Sequence, residues 1–489
     1  MKNLPRFRPY AVLGLGFLSV FTFLLMLRLG VLEPKGKGGP SLSFTLPSGP
    51  NREIWMQIFQ HDRRIGYAHR QFFEMADGFR VQETVSLRMN ILGLVQDLRF
   101  RMTGDLNHRL GLSGFDFELQ SGLVRFRARG GVQGRTLAVS CGPTGSEEYL
   151  QIPLDREVHL PVGLLESLKP ATMRVGDRRS FEVFDPLTLS RRSVRLTVVA
   201  EETIEVMDRR EKAKKVSVDW MGSPQVAWIG EDGSILREEG SLGLRLERTT
   251  REEAIQGGGL SLPLDLAEVA SVPVSRVLPE PSSLNLLRIR LEGIEAPRFF
   301  LHGGRQAFRN GILTVRREDL LRPPPNQERE GGGDLKDFLK PSPFIQSDHP
   351  EILAQARAIL SQEDSDLEKG RKLVLWVHQN IRRQPVFSIP NALETLRKRV
   401  GDCNEHAVLL AALARAAGLP AEVEAGLVYQ NGRFYYHAWN VLYLGRWVTA
   451  DATLNQLPAD VTHLRFVRGA ARQIDLAGMI GKIRLTILE

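Results

Sequence analysis

Three side chains toward the C-terminal end of the chain could together perform acyl transfer: Cys403, His437 and Asp451. Cys403 lies in Gly401-Asp402-Cys403-Asn404-Glu405-His406, ahead of an apolar run over 407–417 that only Arg415 interrupts. Gly418 and Pro420 end that run as a helix end requires, and Asp402 is a good N-cap. The cysteine is thus expected on the first turn of a buried helix, where unpaired N–H groups and the dipole favour a thiolate. His437 follows in Phe434-Tyr435-Tyr436-His437-Ala438-Trp439-Asn440, and Asp451 in Arg446-Trp447-Val448-Thr449-Ala450-Asp451, both readable as strands. A cysteine at a helix start with a histidine and an aspartate on neighbouring strands is a nucleophile, a base and an orienter. His406 is a competing base, but side chains on one helix lean the same way, which gives poor geometry for proton transfer, so it reads as structural. Glu405 reads as a cap of the helix start.

The triad sets a condition on the strands. A two-residue loop at Gly445-Arg446 would put Asp451 and His437 on opposite sheet faces, because strand side chains alternate. A three-residue loop, Leu444-Gly445-Arg446, pairs Tyr443 with Trp447 and Asp451 with Trp439. The two side chains then share a face as diagonal neighbours. Gly445 supplies the positive φ such a loop often needs.

These motifs resemble a known family. Gly-Asp-Cys-x-Glu-x-Ala at 401–407, His437-Ala438-Trp439 and the stretch 447–451 resemble the transglutaminase-like superfamily, papain-like thiol enzymes with chain order Cys, His, Asp. The resemblance covers roughly residues 345–489. Ala452 stands where the family usually has a proline, and Asn455-Gln456-x-x-Ala459-Asp460-x-Thr462-His463 resembles a bacterial membrane-anchored branch. The resemblance implies attack of the thiol on a peptide or carboxamide carbonyl of a protein or peptide substrate, with hydrolysis favoured over cross-linking. An oxyanion would be held by the Cys403 N–H and one upstream donor, for which Gln379 and Trp376 qualify by position. Trp439, with Tyr435 and Tyr436, would line the cleft or the core beside it. The competing class is a non-catalytic peptide-binding or envelope assembly factor that keeps only the cleft; the intact triad argues against it.

Composition narrows the field. Lys and Arg number 65 against 57 Asp and Glu, a net charge of +8 spread over alternating strand positions. With no basic block and no recognition motif, nucleic-acid binding is excluded. Two cysteines, Cys141 and Cys403, make neither a disulfide scaffold nor a tetrahedral metal site, no H-E-x-x-H is present, and neither cofactor nor metal is expected. Cys141 reads as a small buried strand residue. Residues 10–27 form an uncharged run of 18, about 27 Å as a helix, enough to cross a bilayer. With basic residues ahead of it, the run predicts a single-pass inner-membrane anchor through residues 10–32 and an extracytoplasmic, periplasmic bulk.

The expected fold class is multidomain α+β: an N-terminal transmembrane helix, a large antiparallel β domain, and a C-terminal papain-like, transglutaminase-like domain. The expected boundaries are anchor 1–33, linker 34–50, β domain 51–255, small β segment 256–320, linker 321–344 and thiol-enzyme domain 345–489. In the β domain, Val124-Arg125-Phe126-Arg127-Ala128-Arg129 alternates strictly, and Asp77-Gly78, Ser121-Gly122 and Gly130-Gly131 mark turns. Seven strands between 53 and 141 read as a meander of long hairpins, similar to the half-open barrel of periplasmic lipoprotein carriers, with a short helix near 162–168. No constellation there carries chemistry. Leu287-Arg288-Ile289-Arg290-Leu291 reads as an edge strand, and Leu321 to Gly333 as a linker.

Overall fold

The computed structural model describes residues 51–488 apart from short internal stretches: 92–93, 122–123, 143–147, 166–167, 169, 187–189, 221–222, 257–258, 275, 321–333, 343, 385–390, 470–475 and 477–478. The expected anchor 1–33 and linker 34–50 lie outside the described residues, as does much of the linker 321–344.

Among the described residues β structure dominates, with 51% strand against 21% helix. The expected fold class is corrected accordingly: the described residues are mostly β, built on one very large antiparallel sheet. The membrane expectations are corrected with it. Among the described residues no helix is long and apolar enough to cross a membrane, which conflicts with the expected transmembrane helix and single-pass inner-membrane placement; residues 10–32 themselves lie outside the described residues.

The large sheet has 14 strands. Chain order is kept from Asn51–Gln60 outward to Glu148–Pro153, each strand pairing antiparallel with the next. On its other side Asn51–Gln60 pairs with Leu244–Thr249, and the sheet continues back along the chain to Arg178–Asp185. Strict alternation explains the register. In Val124–Gln133, Arg125, Arg127 and Arg129 are exposed while Phe126 and Ala128 are buried. A one-residue slip would exchange the two sets. Among the described residues the ladder ends at Glu148–Pro153 and Arg178–Asp185 without closing on itself. Between these ends Leu154, Val158, Leu160 and Val162, the last on the short helix Pro161–Leu164, join the buried core of the sheet. Cys141 is a buried, unbridged strand residue here.

The C-terminal half is layered, helices against a sheet. Its sheet runs Val272–Pro273, Arg433–Tyr443, Ala421–Gln430, Leu464–Arg468, with Trp447–Ala450 also pairing to Arg433–Tyr443. Against it packs the helix Cys403–Ala416, whose residues 407–414 are all at most 2% exposed. Three helices surround that one: Pro350–Ile359, Asp366–Asn380 and Ala392–Lys398. The run 407–414 is therefore apolar on every side because helices and sheet enclose it.

The segment before these helices completes the same core. Leu286–Glu292 lies between Ile312–Arg316 and the last strand, Arg484–Ile487. It is an interior strand, not the edge its alternation suggested. Leu287, Ile289 and Leu291 point into the core, and the arginines between them face outward.

Candidate active site

The cysteine turn is built by reciprocal capping. The Asp402 carboxylate accepts from the Asn404 N–H (2.8 Å), and the Glu405 carboxylate accepts from the Asp402 N–H (2.9 Å). This capping box fixes Cys403 as the first helical residue. Glu405 reaches back across Gly401, where an added Cβ would lie 2.2 Å from the Glu405 Cβ. Only glycine leaves that path open. His406 is buried and its Nδ1 donates to the Asp402 carbonyl (2.6 Å), so it braces the turn.

His437 and Asp451 arrive on adjacent strands. Tyr443 pairs with Trp447 and Asn440 with Ala450, and the Leu444 N–H donates to the Arg446 carbonyl (2.8 Å) around Gly445 at φ 81°. This is the three-residue loop the triad requires. The ladder stops at Ala450, and Asp451 instead bridges to Gln456. Asp451 is fully buried, and its Oδ2 accepts from His437 Nε2 at 2.7 Å. The Cys403 helix packs on the His437 strand. There the Ala438 N–H acts on the Cys403 sulfur in the direction that favours a thiolate, and Asn440 Nδ2 donates to the Ala407 carbonyl (2.9 Å). The structure thus gathers all three residues singled out by sequence.

The family model of the transglutaminase-like superfamily matches residues 354–452, a span that contains Cys403, His437 and Asp451. This stretch is a transglutaminase-like domain. No curated protein matches the chain. Among solved structures, a Cytophaga hutchinsonii protein described as a candidate cysteine protease is similar at 19% identity, over 41% of this chain and 81% of its own, with a TM-score of 0.27. A Parabacteroides distasonis candidate protease is similar at 13% identity, over 52% of this chain and 66% of its own, TM-score 0.20. A β-barrel-like protein from Brucella abortus is similar at 9% identity, over 41% of this chain and 96% of its own, TM-score 0.33. At these scores the likeness is partial.

Electrostatics in the transglutaminase-like domain depart from the sequence expectation at the sulfur. Cys403 keeps part of its surface open, yet protein crowds the sulfur. Burial first, then the Asp402 carboxylate, push the thiol well up, and the Ala438 N–H only partly offsets them. Burial first, and then the cap's own carboxylates, act against the helix dipole at this thiol. Asp451 behaves in the opposite way: burial would raise it, but His437 and His463 outweigh that and hold it well below the usual carboxylate range.

Sequence reasoning gave His463 no role, yet it touches the site. Its Nε2 lies 3.0 Å from Asp451 Oδ2 and its Nδ1 3.3 Å from Asp460 Oδ1. Asp451 Oδ1 also accepts from the N–H groups of Thr453 (2.7 Å) and Leu454 (3.1 Å). His437, Asp451 and His463 bring two imidazole nitrogens and a carboxylate within 4.8 Å, a set chemically able to hold a metal ion. The 2.7 and 3.0 Å separations are hydrogen-bond lengths, so these atoms are spent on one another.

The other sequence candidates lie as follows. Trp439 is 1% exposed, donates to Glu424 (3.1 Å) and stacks behind His437 with centroids 6.2 Å apart, so it belongs to the core. Arg465 and Arg468 neutralise Glu424 from the far side. Trp376 is half-buried under the Arg399 guanidinium, 4.6 Å from its ring centre. Gln379 is exposed on the last turn of Asp366–Asn380, while its neighbour His378 reaches the Ala452 carbonyl (3.1 Å). Two residues from the preceding segment also support the site. Glu318 accepts from the Thr449 N–H (3.1 Å), and Arg305 donates to the carbonyls of Ala459 and His463.

Proposed function

We propose that the protein is a cysteine-dependent acyl-transfer enzyme that cleaves peptide or carboxamide bonds in a protein or peptide substrate. The observation that carries this reading is the buried 2.7 Å contact between His437 and Asp451, set on the strand whose Ala438 N–H meets the Cys403 sulfur. An ionised Asp451 can only accept, so His437 Nε2 carries a proton, and Nδ1 is the nitrogen able to take the thiol proton.

The step then balances as follows. Cys403 sulfur attacks the carbonyl carbon as its proton passes to His437 Nδ1. The tetrahedral oxyanion collapses, the C–N bond breaks, and the amine leaves with the proton from Nδ1. A thioester remains on Cys403. Water, deprotonated by His437, attacks it and releases the acid and the thiol. Among the described residues, the Asn404 N–H is taken by the Asp402 side chain and the His406 N–H by its carbonyl. The Cys403 N–H is left for the oxyanion. In this step His437 works as the general base.

Water is the abundant acceptor, and hydrolysis is the outcome we favour over amine transfer. The test is a protein substrate mixture incubated with a fluorescent primary amine. New peptide N-termini without amine incorporation support hydrolysis; incorporation dependent on Cys403 without new N-termini would make the enzyme a cross-linker. Neither signal, with no labelling of Cys403 by a thiol-directed electrophile, would remove the enzyme reading.

A further inference from the structure

Asp451 is shared by two histidines, and only His437 has a role in the chemistry above. His463 approaches the same oxygen, Oδ2, from the other side. It is 0% exposed, and each of its ring nitrogens faces a carboxylate oxygen: Nε2 faces Asp451 at 3.0 Å, and Nδ1 faces Asp460 at 3.3 Å. A neutral imidazole has one N–H and would leave one carboxylate facing a lone pair. Two donors satisfy both.

The surroundings agree. Asp460 is itself fixed, accepting at Oδ1 from the Thr462 N–H (2.9 Å) and hydroxyl (2.6 Å) and at Oδ2 from Gln456 Nε2 (2.9 Å). The Trp439 ring stands edge-on to His463, 5.2 Å away at 88°, and the His437 ring lies 6.0 Å away at 64°. Arg305 meets His463 at its carbonyl (3.3 Å), and its other arm donates to the Ala459 carbonyl and lies 3.6 Å from Glu318. Arg465, two residues on, is committed to Glu424. The ionisable groups facing the His463 ring are thus Asp451, Asp460 and His437.

We propose that His463 is a positioning residue of this site, a doubly protonated imidazolium held between Asp460 and Asp451 that fixes the Asp451 carboxylate against His437. This rests on the acyl-transfer reading, and it extends the Cys-His-Asp set inward by a His-Asp pair. Without His463, Oδ2 keeps one partner, and the two backbone N–H groups hold Oδ1 alone. The carboxylate can then rotate, and His437 loses its fixed direction toward the sulfur. Burial acts against the charge on His463, but the two carboxylates outweigh it and raise the ring above the ordinary histidine range.

Two measurements on the full chain test this. Nitrogen NMR of protein labelled only at histidine should show, at neutral pH, a ring protonated at both nitrogens, and that signal should vanish in His463→Gln. The rate of Cys403 alkylation by iodoacetamide should fall on the order of tenfold to a hundredfold in His463→Gln and in Asp460→Asn, the range for residues that orient a reacting group from behind, with the circular dichroism unchanged. Loss of rate in His437→Ala with none in His463→Gln or Asp460→Asn would overturn the proposal and leave the acyl-transfer reading standing. No loss in His437→Ala would overturn that reading first. If His463→Gln fails to fold, Asp460→Asn and the wild-type spectrum decide; a wild-type spectrum with no doubly protonated ring refutes the proposal.

Discussion

Replacing Asp451 by asparagine changes one atom of a side chain that accepts four hydrogen bonds. The carbonyl oxygen of the amide can keep the two backbone donors, Thr453 at 2.7 Å and Leu454 at 3.1 Å. The NH₂ group then faces His437 Nε2 and His463 Nε2, where an acceptor stood. To avoid two opposed donors, His437 must move its proton to Nδ1, the nitrogen that has to receive the thiol proton. A triad aspartate held in this way loses about 10³–10⁴ in rate as asparagine, or roughly 4–5.5 kcal/mol of transition-state stabilisation. His463 also loses a charged partner, and breaking a buried pair costs about 3–5 kcal/mol, so a lower melting temperature should accompany the loss. Turnover of an activated ester and alkylation of Cys403 by iodoacetamide, measured beside thermal unfolding, separate the two effects. A folded Asp451→Asn protein that loses less than about tenfold would refute the orienting role and leave Asp451 a turn residue.

Cys403→Ala should abolish acyl transfer while costing about 1 kcal/mol or less in stability, since one small atom is removed from a half-open position; denaturant unfolding and activity check both halves. Gly401→Ala should destabilise by about 1–3 kcal/mol, because its Cβ would displace Glu405 and open the capping box, and thermal unfolding should show it. Asp451 has a depressed pKa, so its contribution is complete above the unfolded carboxylate value near ~4 and is lost as pH falls through the lower folded value. His463 has a raised one, so its contribution is complete below the unfolded value near ~6.5 and is lost as pH rises through the higher folded value. The stability gap between wild type and His463→Gln should therefore narrow on the alkaline side in a pH series of unfolding curves. A fragment starting at residue 345 should be less stable than one starting near 271, because the strand Arg484–Ile487 would lose Leu286–Glu292 and Thr449 would lose Glu318; equal melting temperatures would contradict that.

What could be read from the sequence was local or periodic. The alternation of Arg125, Phe126, Arg127 and Ala128 specified both strand and face, because a half-buried sheet tolerates no other order. Asp402 and Glu405 announced the helix start, and Gly445 announced the odd loop that puts His437 and Asp451 together. What escaped depends on distance along the chain. Arg305 and Glu318 reach the site from well over a hundred residues upstream, and nothing in their own neighbourhoods points to it. Leu286–Glu292 looked like an edge because one of its partners is the final strand. Asp460 and His463 stand three apart in a turn, a spacing that local structure alone explains. The surroundings of the sulfur escaped for another reason: burial acts on it first, and the cap that places Cys403 at a positive helix end also puts Asp402 and Glu405 beside it. Residues 10–27 were read by hydropathy alone, and no described helix supports a membrane span.

The central claim is that Cys403 carries an acyl group with His437 and Asp451 behind it, and p-nitrophenyl acetate tests it without knowledge of the natural substrate. Mixed rapidly with the full chain, it should give a burst of about one equivalent of p-nitrophenol, followed by slower turnover, with an acetyl group on Cys403 and none on the buried Cys141 by peptide mass spectrometry. The burst should be absent in Cys403→Ala and slowed in His437→Ala. Equal release from Cys403→Ala and wild type, or acetyl groups spread over lysines with none on Cys403, would contradict the account.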